Sequence, residues 1–169
     1  MGTTANGLPW PDGDDYLVDG DDAIKALAEA VDRTYSVAFA DATLTSAGIS
    51  TGRTGWGIST QNADPSGRLA IGANGISAVV GGVVLVQFSP LLSTPGQVTF
   101  GIALNNPNTG PIYASTVYTP GGPGTRISGE WVLAAGSSFH PVFLGSTSGS
   151  TCSGGYFEMR HHGPRAVAA

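Results

Sequence analysis

From residue 35 to residue 160 the large apolar side chains recur at strand spacing, and the stretches between them are built of Gly, Pro, Ser, Thr, Asn and Asp. No helical period of three and four runs through this part of the chain. The runs at 37–44, 56–60, 69–71, 76–80, 83–88, 97–104, 112–118, 125–133, 138–144 and 155–160 read as strands. The connectors at 90–96, 105–111, 119–124, 134–136 and 145–154 have turn chemistry. A further turn is written in Asp64-Pro65-Ser66-Gly67. Short strands at this even spacing predict an all-β, antiparallel β-sandwich, with a jelly roll the best fit to the length.

The first 34 residues follow a different rule. Pro9 and Pro11 bracket Trp10 and hold the backbone around it extended. Leu8, Trp10, Tyr16, Leu17 and Val18 are large apolar groups in a segment too short to bury them by itself. Leu8, Trp10, Leu17 and Val18 are therefore candidates for anchoring the chain to a larger particle. Residues 22–32 predict one short α-helix, capped by Asp21 or Asp22 at the positive end of its dipole. Ile24, Leu27 and Val31 form a narrow stripe along it. A helix of this length is marginal alone in water. The stripe is a candidate seam against sister copies of the same helix on a threefold axis. The expected organisation is an anchoring arm and helix at 1–34, a jelly-roll head at 35–162 and a tail at 163–169.

Composition supports a chain that meets copies of itself. Charged residues make up 11% of the sequence, and Lys25 is the only lysine. Soluble monomers carry more, about 25%, and keep their surfaces wet largely with Lys, Glu, Asp and Arg. The acids crowd the arm: residues 1–35 hold eight acids against two bases, net −6, and the remainder four acids against five bases, net +1. An acidic arm repels a polyanion, and the body has no Lys/Arg cluster, so no nucleic-acid partner is expected. No apolar run is long enough to insert in a membrane, and no signal-peptide pattern opens the chain. Synthesis in a cytoplasm is the expectation.

Catalytic and cofactor motifs are absent. The one Gly-x-Ser-x-Gly spacing, Gly48-Ile49-Ser50-Thr51-Gly52, has no helix pattern after it and so makes no nucleophile elbow, and His140, His161 and His162 have no partner pattern around them. The acidic stretch 12–22 fails calcium-loop spacing, with Tyr16 in the fifth position and no closing Glu. A lone Cys152, in a Gly/Ser-rich stretch read as a loop, makes no internal disulfide or zinc site. A non-enzyme without a cofactor or metal is expected. Two alternatives stay open: irregular calcium binding by the acidic stretch 12–22, and a metal held by His161 and His162 on a symmetry axis. Tyr113, Tyr118, Trp131, Tyr156 and Phe157 belong to the core or to an interface, with stacking on a sugar ring as the alternative role.

Two sets of residues carry a resemblance. Residues 76–88, 129–136 (Gly-Glu-Trp-Val-Leu-Ala-Ala-Gly) and 155–160 (Gly-Tyr-Phe-Glu-Met-Arg) resemble the complement-head and tumour-necrosis-factor-like jelly rolls found in phage fibre and decoration proteins. Residues 7–32 resemble the start of tail proteins of phages that infect actinobacteria: Gly-Leu-Pro-aromatic-Pro, an acidic spacer, then a helix. The resemblance implies a structural virion protein, a homotrimeric tail or fibre knob attached by its arm to other virion proteins. A capsid decoration protein and a module binding host-surface glycan are the alternative readings. The chain departs from a long fibre in having no collagen-like or coiled-coil shaft.

Overall fold

The computed structural model describes residues 38–93, 96–120, 126–146 and 149–162, and in the first part of the chain residues 2–3, 9–10, 24 and 26. Two compact units divide the chain, Met1–Val37 and Ala38–Ala169.

In the first unit, β1 (Gly2–Thr3) pairs antiparallel with β2 (Pro9–Trp10), Gly2 opposite Trp10. Ile24 and Ala26 are helical, and the Ile24 side chain is exposed. Trp10 thus stands in a strand. The other proposed anchoring residues, Leu8, Leu17 and Val18, and the other seam residues, Leu27 and Val31, lie outside the described residues.

The second unit is a sandwich of two antiparallel sheets. Its principal strands are β3 (Ala38–Leu44), β6 (Ile58–Asn62), β7 (Leu69–Gly72), β8 (Gly75–Ala78), β9 (Gly82–Ser93), β10 (Val98–Leu104), β11 (Ile112–Tyr118), β12 (Ile127–Leu133), β13 (Ser138–Ser146) and β14 (Thr151–His161). Two short strands, β4 (Ala47–Gly48) and β5 (Thr54–Gly55), lie between β3 and β6. Sheet one runs β11-β10-β13-β8-β7, with β5 on β13. Sheet two runs β12-β9-β14-β3-β6, with β4 on β14. The chain crosses repeatedly from one sheet to the other and closes with its last strand beside its first long one, Ala38 opposite His161. That is jelly-roll connectivity.

Alternation fixes which side of each strand meets the core. β3 buries Ala38, Ala40, Ala42 and Leu44 and turns Phe39, Asp41 and Thr43 away; β9 buries Val84, Val86 and Phe88. Between the sheets the aromatic rings meet edge to face. Phe88 lies 5.2 Å from Phe100 and 5.9 Å from Phe157, and Trp56 lies 4.5 Å from Phe143. The indole of Trp56 keeps its polar end satisfied by donating to the Thr45 carbonyl at 2.8 Å.

Three local expectations need correction. Trp56 precedes β6 rather than starting it. β9 continues through Pro90 to Ser93, and β14 begins at Thr151, so much of two expected connectors is strand. The reason is a bulge in β14 between Cys152 and Gly154, which lets Pro90 lie in the ladder opposite Gly155. Cys152 is accordingly a buried strand residue, not a loop residue. Its Sγ lies 3.1 Å from the Gly154 carbonyl, and burial pushes the thiol pKa up.

Gly155 has φ +121°, and a Cβ there would stand 2.3 Å from the Ser89 carbonyl oxygen. Gly155→Ala is therefore expected to cost about 1–3 kcal/mol of stability through strained backbone as well as the clash. An unchanged urea midpoint for G155A would show that the bulge relaxes freely. Gly129 has a different reason: the Trp131 indole lies over it, so that a Cβ would fall 2.2 Å from the ring.

Candidate functional site

The outer face of sheet two is where exposed chemistry collects. Strand register arranges it in rows. One row runs Glu130, Leu85, Arg160, Phe39 across β12, β9, β14 and β3. The next runs Ser128, Gln87, Glu158, Asp41, Asn62, reaching β6, and the third runs Ser89, Tyr156, Thr43, Ser59. Val132 stands opposite Val83 at the other end of β12 and is 63% exposed. Phe39, Leu85 and Tyr156 are half-buried here, outside the core. On sheet one Ala70 and Ser77 pair on β7 and β8, and Gly101 and Ser115 on β10 and β11, all small, while Val117, opposite Thr99, is large and exposed.

The charges in the middle of this face are held in place. Arg160 stacks over the Phe39 ring at 5.3 Å and reaches Glu158 at 3.5 Å. Glu158 Oε1 is buried without a hydrogen bond. Its strand neighbour Asp41 accepts from the Asn62 backbone N–H at 2.8 Å and from Asn62 Nδ2 at 2.9 Å. The guanidinium thus serves Glu158, while the neighbouring carboxylate of Asp41 is held by Asn62. Around the corner, where the edge strands β11 and β12 of the two sheets adjoin, Tyr113 and Val117 are exposed. The Tyr113 ring rests on Phe139 at 5.4 Å and on Trp131 at 6.2 Å.

The structure separates the other sequence candidates. Phe157 is core, and Tyr118 and Trp131 pack against it. Ser138 Oγ and His140 Nε2 are 2.8 Å apart, with His140 Nδ1 2.8 Å from the Asn74 carbonyl, which places that imidazole firmly on the outside of β13. His161 is fully buried and its Nε2 donates to the Val80 carbonyl at 3.0 Å. An inward, enclosed ring cannot meet its copies on an axis, so the symmetric-metal reading fails for His161. Among the described residues no three His, Cys, Asp or Glu side chains converge on one point, and no helix is long and apolar enough to cross a membrane.

His161 shares the end of the sandwich with Asp64 and Arg68, both largely buried. Burial strongly opposes ionisation of Asp64, yet hydrogen bonds from Ser66 and from the backbone N–H groups of Leu69 and Arg68 outweigh it, and its pKa lies below 3.8. Burial holds His161 below its ordinary 6.5. The Val80 carbonyl pulls it upward, and Arg68 adds to the depression. The unfolded chain therefore takes up a proton at His161 before the folded one does. This contribution to stability is complete above pH 6.5 and is lost as pH falls from there toward the folded pKa; that of Asp64 is lost only below 3.8. The unfolding midpoint of the chain is expected to drop between pH 7.5 and pH 5, and by less in His161→Gln. Equal drops in both chains would remove His161 as the cause.

Comparison with known proteins tells the fold and no more. No family model matches the chain, and no curated protein does. Solved structures do. Murine APRIL at pH 8.0 superposes with a TM-score of 0.53 at 10% identity, over 73% of this chain and 98% of that one. Murine APRIL at pH 5.0 gives 0.54 at 11% over the same shares. The fold is a tumour-necrosis-factor-like jelly roll. The sandwich expected from strand spacing, and the jelly-roll part of the resemblance, are borne out. Sequence reasoning missed Asp41, Glu158 and Arg160 as a group. They are far apart in the chain and meet only through the pairing of β3 with β14.

Proposed function

We propose that this chain is a structural protein of a bacteriophage virion: a homotrimeric tail- or fibre-type knob, with the tumour-necrosis-factor-like head facing outward and residues 1–34 attaching it to other virion proteins. It is made in the host cytoplasm and works on the particle. The observation that carries the reading is the outer face of sheet two. Phe39, Leu85 and Tyr156 lie there outside the core, with Val83 and Val132 beside them. Covering such side chains with a second copy removes apolar surface from water, worth about 1.5–3 kcal/mol for a fully buried large side chain. The low charge of the chain and the resemblance of residues 7–32 to phage tail proteins support the same reading. No bond-breaking chemistry is required, and fold likeness to a ligand such as APRIL agrees with a non-enzyme.

The test is location on purified particles. Antibody label at the tail supports the proposal. Label on the capsid shell replaces it with a decoration protein. Absence from intact particles, with binding of the isolated chain to host glycan, replaces it with a glycan-binding module.

A further inference from the structure

The next step rests on the proposal that the head is a trimer. Three copies around an axis meet through heterologous contacts, in which one patch of each copy touches a different patch of the next. The outer face of sheet two supplies one patch. The β11/β12 side of the sandwich, with Tyr113 and Val117 exposed, supplies an apolar second one.

Charge then fixes how they fit. The centre of the face sets two carboxylates side by side, Glu158 with its Oε1 3.5 Å from Arg160 and Asp41 with no partner cation among the described residues. Covering that centre with an apolar surface would take the half-buried Asp41 carboxylate away from the water it still meets, which is costly. The covering edge carries the matching cation. Arg126 is exposed immediately before β12, and no carboxylate among the described residues lies within ion-pair range of it. Ile127 pairs with Phe88, so Arg126 is level with Ser89 and Tyr156, one row from Glu158 and Asp41. One row is two residues along a strand, about 7 Å. Rotation about an axis running along the strands preserves that level and leaves the carboxylates within the span of an extended arginine.

We infer that Arg126 of each copy docks on the Asp41–Glu158 pair of the next copy, so that the acidic centre of the face is completed only by assembly. The pair gives the interface its register and makes assembly sensitive to salt.

The experiment measures solution mass across a micromolar dilution series for the full chain and for three variants. The unaltered chain is expected to be a trimer. Arg126→Glu is expected to weaken association at least about tenfold per interface. Restoring the opposite sign, with R126E/D41R or R126E/E158R, is expected to recover the trimer. R126E as tightly trimeric as the parent would overturn the pairing, as would failure of both reversals to recover it, while the trimer itself stood. A monomeric parent would instead remove the trimer proposal, and this inference with it.

Discussion

Phe88→Ala is expected to destabilise the head by about 3–5 kcal/mol, the range for emptying a buried phenylalanine site. Phe88 is fully buried on β9, and its ring contacts come from both sheets: Phe157 on the neighbouring β14, and Phe100 and Phe143 across the sandwich. Phe100 and Phe143 already lean on each other at 6.3 Å, so neither can swing into the vacated space without giving up that contact. Domains of this size are stable by about 5–15 kcal/mol, so the loss is a large share of the total. Urea unfolding of F88A against the parent measures it. A loss below about 1 kcal/mol would show that the two sheets are not held together at this point.

Leu85→Glu is expected to separate assembly from folding. Leu85 is half-buried on the outer face of sheet two, between Glu130 and Arg160 in its row. It contributes little to the core. In the trimer it would be covered by the next copy. Losing its burial costs about 2 kcal/mol, roughly a 30-fold weaker interface, before the cost of enclosing a new charge is added. The measurement pairs solution mass with far-ultraviolet circular dichroism. A folded monomer is the expected product. A folded trimer of undiminished affinity would place the contact on another face.

What the sequence disclosed follows the range of its signals. Strands were legible because apolar alternation and turn residues are local: the run at 112–118 became β11 residue for residue, and the run at 83–88 lies within β9. The ends of strands were not, because the bulge that carries β9 past Pro90 depends on two glycines in a strand more than sixty residues later. The burial of His161 was hidden for the same reason, since Val80 and Arg68 reach it from the loops beside β8 and β7. The assembly face was the least legible of all. Its rows alternate polar and apolar within every strand, as any half-exposed strand does, and only the strand order β12-β9-β14-β3-β6 lines Gln87, Glu158, Asp41 and Asn62 into one polar stripe between Phe39 and Tyr156.

The central claim is that a face of the head, rather than the arm, builds the assembly. The most direct test is the solution mass of the full chain beside a chain lacking residues 1–34, both at micromolar concentration. Trimers in both place the interface on the jelly roll and leave the arm for attachment, as predicted here. A monomer in both would contradict the account and leave a single-copy binding domain in its place.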